Sequence, residues 1–332
     1  MNDSDILDAV DHRIIAALQI NPRAGVAEVG RILGEHERSV ARRLQRLLNL
    51  EIVHFTAEYE RLRSAPGHSA WLRLKARPGC LEAVGDTLAR RVDALNVAAV
   101  SGAPGLLWCE LAIPDRPLLH ALAEGVPGLP DAEVLDMCLT LRPFKTAAEW
   151  HAPVLTDEEE RLLRASLVQP LPVPADRYEP TPTDERVAGL LRHNARVSLT
   201  ELARELGFST ATAGRRLASL LERRVLRLRT AVDPALLGRP ARILLRLKVR
   251  PAGLEKVGTA LAAHRDVHCC TAVTGPYALL AEVCLPHEKD VYGFLVDVLG
   301  PAGDVTDLDT AVITRAYSPG PGPDTPLRQA ST

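Results

Sequence analysis

The sequence predicts an α+β chain, a tandem repeat of a winged helix-turn-helix followed by a ferredoxin-like βαββαβ domain. Two observations carry this. The chain aligns with itself at an offset of 173 residues: Asp11 meets Asp184, Asn21 meets Asn194, Arg23 meets Arg196, Gly34 meets Gly207, and 14 of the 42 positions from 11 to 52 are identical. The same register reappears at Arg73-Leu74-Lys75 with Arg246-Leu247-Lys248, at Gly85 with Gly258, at Gly102 with Gly275 and at Arg142 with Arg315. A period this long marks two copies of a whole module rather than a solenoid. Within each copy, moreover, the hydrophobic spacing changes from helical to alternating partway along. The expected boundaries are helix-turn-helix 8–60, ferredoxin-like domain 68–148, linker 149–180, helix-turn-helix 181–233, ferredoxin-like domain 240–318 and tail 319–332.

The first half of each module reads as three helices and a short strand. Ile14, Ile15 and Leu18 recur at helical spacing, as do Val26, Val29 and Leu33; Gly34 then stops the second helix, since glycine takes a left-handed cap at little cost. Val40, Leu44, Leu47 and Leu48 mark the third. Copy 2 repeats this with Val187 and Leu191, then Leu199, Leu202 and Leu206 before Gly207, then Ala213, Leu217, Leu220 and Leu221. Ser209 is a good N-cap for that third helix, whereas copy 1 opens it with Glu35-His36-Glu37. Helix, glycine turn, helix is the helix-turn-helix pattern. The short apolar runs 52–55 and 225–228 predict the strands of a wing.

At 100° per residue, a buried Leu44 puts Ser39, Arg42 and Arg46 on the outward face, with Arg38 and Arg43 flanking. In copy 2 the outward positions are Thr212, Arg215 and Ser219, with Arg216 flanking and Ser209 and Thr210 at the helix start. Arginine and hydroxyl side chains on a third helix suit base edges and phosphates. Double-stranded DNA is the expected partner, through Arg38, Ser39, Arg42, Arg43, Arg46, Ser209, Thr210, Thr212, Arg215 and Arg216. The heads are unequal, because only Arg42/Arg215 is shared among the outward positions.

The second half of each module is clearest in copy 2. Residues 243–249 alternate apolar with Arg246 and Lys248, Pro251 opens a helix through Leu254, Val257 and Leu261, and a strand from Val267 turns at Gly275-Pro276. The return strand 277–285, a helix through Val291, Phe294, Leu295 and Val298, and a last strand 305–313 complete the split βαβ order. One sheet face is left for a partner, so a homo-oligomer through these domains is expected. The linker holds a capping-box helix start at Thr156 and a Pro-rich stretch, 169–176, and the Pro-rich tail from Ser318 reads as disordered.

Composition narrows the function. Net charge is −2 at 46% hydrophobic and 25% charged residues, so any nucleic-acid contact must come from a local basic patch. No apolar run reaches about 18 residues, and the acidic start is unlike a secretory signal; no membrane partner and a cytoplasmic protein are expected. The six cysteines form no C-x-x-C. His264 and His268 with Cys269, Cys270, Cys284 and His287 form one grouping of zinc-ligand types; alternation places the cysteines in a strand as small apolar residues, so no metal and no cofactor are expected. No nucleophile, phosphate-loop or metalloprotease motif occurs, and the expectation is a protein that is not an enzyme.

Both halves resemble the Lrp/AsnC (feast/famine) transcription regulators. The residues carrying the resemblance are Asp184 and Val187, Leu191 to Asn194 and Arg196, Leu202 to Gly207 with Ser209, Arg215-Arg216-Leu217, and Thr274-Gly275 with Tyr277, Leu279 and Leu280. The resemblance implies a DNA-binding regulator modulated by a small metabolite such as an amino acid, with the ferredoxin-like domains as sensors able to pair within one chain. It implies an effector site at Thr274, Gly275 and Tyr277, where the acids common in that family's turn are missing; copy 1, Gly102-Ala103-Pro104-Gly105, keeps only the glycine. Two alternatives share the architecture: an enzyme resembling the siroheme decarboxylases, and an oligomerising sensor with degenerate DNA binding.

Overall fold

The computed structural model describes residues 7–59, 68–91, 93–113, 116–167, 178 and 180–317. The Pro-rich linker stretch and the tail lie outside the described residues. The chain divides into two units, and the repeat is interleaved between them. One unit holds both helix-turn-helix heads with the linker helix, the other both ferredoxin-like domains.

In the first unit, head 1 comprises α1 (Ala9–Ile20), α2 (Val26–Leu33) and α3 (Glu37–Asn49), followed by strand β1 (His54–Tyr59). Head 2 comprises α7 (Pro182–His193), α8 (Leu199–Leu206) and α9 (Thr210–Glu222), followed by β6 (Leu226–Ala231). Ile14, Ile15, Leu18, Val29, Val40 and Leu47 are buried in head 1, and Val187, Leu191, Leu202, Ala213, Leu217 and Leu220 in head 2. Gly34 and Gly207 end α2 and α8 at φ +72° and +73°.

The expected wings are not wings. β1 and β6 pair with each other, antiparallel, from His54 opposite Ala231 to Tyr59 opposite Leu226. Each strand lies on the other copy's head: Ala57 joins the core of head 2, the Phe55 carbonyl accepts from Ala195 N at 3.0 Å, and the Thr56 hydroxyl donates to the Arg192 carbonyl at 2.8 Å. Arg23 donates to the Val197 carbonyl at 3.0 Å and its repeat mate Arg196 to the Ala24 carbonyl at 2.8 Å, so the heads clasp each other symmetrically. The linker helix α6 (Asp157–Ala165) has its Thr156 capping box and packs on head 1, with Asn21 donating to Ser166 Oγ at 2.9 Å and Arg13 paired with Glu159.

The second unit is a closed barrel of two four-stranded halves in the order β10-β3-β4-β2-β5-β8-β9-β7. Copy 1 supplies β2 (His68–Ala76), α4 (Leu81–Ala89), β3 (Ala94–Val100), β4 (Leu106–Ile113), α5 (Arg116–Glu124) and β5 (Ala132–Lys145). Copy 2 supplies β7 (Ala241–Val249), α10 (Leu254–Ala263), β8 (Val267–Val273), β9 (Leu279–Leu285), α11 (Asp290–Gly293, continuing as a π-helical turn through Leu299) and β10 (Val305–Ala316). β5 pairs with β8 and β10 with β3, joining the copies along two edges.

The sheet face that the sequence leaves for a partner is thus covered within the chain. Trp71, Val100, Trp108 and Cys138 from copy 1 pack against Leu244, Val273 and Leu280 from copy 2. At each outer seam an aromatic ring lies over a helix glycine of the other copy. A Cβ on Gly85 would stand 2.5 Å from the Tyr317 ring, and one on Gly258 2.4 Å from the Phe144 ring. Arg142–Glu255 and Arg315–Glu82 repeat the same symmetry as ion pairs.

The repeat register slips by one residue at β4 and β9 and is restored by the last strands, where Arg142 again matches Arg315. Val97 faces Cys109, whereas its mate Cys270 faces Ala281, so copy 2 is one residue shorter in the turn between these strands. Leu107, not Leu106, is therefore the mate of Leu279; Tyr277 corresponds to Gly105, not to Pro104, and Glu282 to Glu110. Gly105 is forced by its backbone: φ is +79° and a Cβ would stand 2.7 Å from the Ala76 carbonyl oxygen.

Candidate functional site

The third helices α3 and α9 begin differently. His36 caps α3 without a side-chain hydrogen bond, and Glu37 sits in its first turn. Ser209 caps α9 by accepting from Thr212 N at 3.2 Å, and its Oγ lies 2.9 Å from Thr212 Oγ1. Arg38 and Arg42 are exposed on α3 and Ser39 is half-buried; on α9 Arg215 and Thr210 are exposed and Thr212 is half-buried. Arg215 reaches back to Thr212 Oγ1 at 3.5 Å.

Three of the expected contact residues instead hold the heads together. Asp11 and Asp184 occupy the third position of α1 and α7, each fully buried in a capping box with Asp8 or Thr181. Arg43 Nη1 donates to Asp8 at 2.7 Å and to Asp11 at 2.9 Å, and Arg46 pairs with Asp11 at 2.5 Å. In head 2, Arg216 Nε donates to Asp184 at 2.6 Å and its Nη2 to Thr181 Oγ1 at 2.6 Å. Burial pushes the Asp184 carboxyl up, but hydrogen bonds from Thr181, Tyr178 and Arg216 outweigh it and hold the group below its ordinary value. The flanking positions on the helical wheel face the first helix, because an acid waits there.

The three turn residues also have structural partners. Thr274 N donates to the Leu139 carbonyl at 2.9 Å, and Leu139 N donates to Thr274 Oγ1 at 2.9 Å. Ser101, the mate of Thr274, makes the same two-way bond with Val312, at 2.8 and 2.9 Å. Gly275, at φ +99°, lies over Cys138, and Tyr277 is half-buried beneath the Arg246 guanidinium at 4.8 Å. The candidate effector turn is therefore part of the seam between copies.

Inside the barrel lies a charged cluster of which the sequence grouping named His268, Cys269 and Cys284 but missed Glu282 and Arg242. Glu282, 3% exposed, accepts from Arg242 Nε at 2.7 Å and lies 3.4 Å from His268 Nδ1. Burial pushes this carboxyl up, but His268 and Arg242 together hold it well below the carboxylate range. Cys269 sits opposite on β8, and Cys284 Sγ lies 3.7 Å from Glu282 Oε1. Burial pushes the Cys269 and Cys284 thiols well up, and those of Cys109, Cys138 and Cys270 to about 12. The signal for Glu282 was a lone acid in the apolar strand Leu279-Leu-Ala-Glu282-Val-Cys-Leu285.

A model of the AsnC-type helix-turn-helix domain matches residues 7–48 and again 181–221, and a model of the Lrp/AsnC ligand binding domain matches 242–323. By its domains the chain belongs to the Lrp/AsnC family. An uncharacterized HTH-type transcriptional regulator of Pyrococcus furiosus is 25% identical over 132 residues, 40% of this chain and 89% of that protein. The HTH-type transcriptional regulator Ptr1 of Methanocaldococcus jannaschii is 25% identical over 138 residues, 41% of this chain and 93% of its own length. Each relative therefore corresponds to about one module of this tandem Lrp/AsnC protein.

A solved structure matches both modules at once. The siroheme decarboxylase NirDL superposes with a TM-score of 0.59 at 18% identity, covering 93% of this chain and 92% of that one. NirDL in co-complex with an iron-uroporphyrin III analogue gives 0.55 at 19% identity, covering 88% of this chain and 86% of that one. At that identity the likeness establishes the fold alone. It does correct the expectation of a non-enzyme, since an enzyme carries this tandem architecture over nearly the whole chain. The absence of familiar hydrolase and phosphate-loop motifs had no bearing on a decarboxylase of this fold.

Proposed function

We propose that the chain is a DNA-binding transcriptional regulator with two unlike reading heads. The observation that carries this is the exposed arginine at one shared position, Arg42 on α3 and Arg215 on α9, each following a glycine-stopped helix and neither ion-paired among the described residues. Arg38 of head 1 is replaced by Ala211 in head 2, so the half-sites should differ and one chain should favour a non-palindromic site. Arg215→Ala is expected to weaken binding to a selected site by about 1–3 kcal/mol, with lost preference at one base pair. Weakening that is uniform over all sequences would assign Arg215 to a phosphate instead, and retention on DNA that ignores salt would sink the reading.

A metabolite response is assigned to the Thr274–Tyr277 turn, since anything that shifts it moves the hydrogen bonds to Leu139. Tyr277→Ala should abolish ligand-induced shifts in melting temperature while the Arg246 pairing with Asp309 preserves the fold. A shift that survives would place the site elsewhere.

A second reading has one observation behind it, the whole-chain likeness to NirDL. On that reading the chain acts on a carboxylated iron tetrapyrrole. Incubation with such a compound would give a shifted absorption band on binding and carbon dioxide release on turnover; neither appearing would remove it.

A further inference from the structure

We propose that the barrel interior of copy 2 holds one zinc ion, bound by His268, Cys269, Glu282 and Cys284. The ligating atoms of His268, Cys269 and Glu282 already lie within 4.8 Å of one another, and Cys284 Sγ is 3.7 Å from the Glu282 carboxylate. Ligand atoms around a tetrahedral zinc at ordinary bond lengths sit roughly 3.3–3.8 Å apart, so drawing in His268, Cys269 and Glu282 needs side-chain shifts of about 1 Å, and Cys284, outside that group of three, must swing further to complete the set. Two thiolates, an imidazole and a carboxylate are a donor set suited to zinc rather than to calcium or magnesium.

The charges balance. With both thiols deprotonated, the four ligands carry three negative charges against the ion's two positive ones, and Arg242 on Glu282 Oε1 supplies the remaining positive charge. Arg242 then orients the ligating carboxylate from outside, the arrangement by which outer partners tune metal ligands. A small cavity lined by Trp71, Trp108, Thr271, Cys269 and Glu282 adjoins the cluster and has room for a single water-sized particle.

The fold does not itself require this set. The repeat mates of His268, Cys269 and Cys284 are Leu95, Asn96 and Ala112, and the mate of Arg242 is Ser69, which bonds Thr140 at 2.7 Å; only Glu110 matches, opposite Glu282. Copy 1 makes the same sheet without thiols, imidazole or guanidinium at these places. Of the residues that the sequence grouped for zinc, His264 is turned away, toward Phe294 and Asp266 N.

The test uses the full reduced chain, stripped with a chelator and titrated with Zn2+ and with Co2+. Uptake of one ion per chain is expected, with release of about two protons at neutral pH from the thiols, a higher melting temperature, and for cobalt a thiolate charge-transfer band with the intensity of tetrahedral coordination. Cys269→Ser and Cys284→Ser should each lower zinc affinity at least 100-fold, and Cys80→Ser should not. Failure of the wild-type chain to retain stoichiometric zinc, an octahedral cobalt spectrum without thiolate bands, or unchanged uptake in both cysteine variants would overturn the site. DNA binding by Arg215 is read separately and does not depend on the outcome.

Discussion

Replacing Arg242 by Ala in the metal-free chain should destabilise the barrel by about 3–5 kcal/mol, one of the two largest single-residue effects expected in this protein. Removing one member of a buried ion pair leaves the other charge uncompensated, and that penalty, not the net worth of the pair, is what the measurement reads. Glu282 is fully enclosed, and the Arg242 bond is its shortest. Its acid dependence has a definite sign. The folded carboxyl lies well below the unfolded value of about 4.3, so its contribution is complete above that pH and is lost as pH falls toward the folded value. Without Arg242 one of the two groups that offset burial is gone and the folded value moves upward, so the gap between wild type and variant should narrow steadily as the solution is acidified. Denaturant unfolding in chelator at several pH values checks this. A gap that is constant with pH would mean that Arg242 matters for packing rather than for the charge of Glu282.

What was legible in the sequence was local or repeated. Helical spacing and the glycine stops placed all six head helices, because a helix writes its contacts into positions three and four apart. The strands of the ferredoxin-like domains were legible for the same reason at period two. Pairing partners were not: β1 faces β6 across more than half the chain, and nothing near His54 or Ala231 records that choice. A wing was the local solution to the same apolar run. The one-residue slip at the turn was hidden by Leu106-Leu107 and Leu279-Leu280, which fit either register by hydrophobicity alone. Only the hydrogen-bonded pairs distinguish them.

The candidate site was legible as residue types but not as directions. A helical wheel marks Arg43 and Arg216 as flanking, and flanking positions belong to whichever neighbour offers the better partner. That neighbour is an aspartate 32 residues earlier in both copies, Asp11 and Asp184. Identity at both ends of the pair in both copies was itself a signal. Heads that fold alike must share both ends of a strut, whereas Arg42 and Arg215, though shared, are exposed with no ion-pair partner among the described residues. By that measure Arg38, present in one copy only, is a better reader than Arg43. In the Glu282 cluster His268, Cys269 and Cys284 stood out by residue type, but Glu282 and Arg242 did not, since the arginine comes from a strand 40 residues away.

The adjacent arginines of α9 should therefore behave as opposites. Arg216→Ala is expected to cost about 3–5 kcal/mol of stability in the head unit, because Asp184 is fully buried and loses its only cationic partner among the described residues. Thr181 and Tyr178 still donate to Asp184, at 2.8 Å each, which places the loss toward the lower end of that range. Arg215→Ala should leave stability within about 0.5 kcal/mol, as an exposed side chain whose one recorded bond, to Thr212, is long. The double change Arg216→Met with Asp184→Leu separates charge from geometry. Swapping a buried pair for apolar residues of similar size is often neutral, so much of the lost stability should return even though the capping box at Thr181 is gone. A thermal or denaturant series on the four proteins, read beside DNA affinity corrected for the folded fraction, decides the matter. If Arg216→Ala kept full stability and lost only DNA affinity, the ion pair with Asp184 would be incidental and Arg216 would belong to the reading face after all.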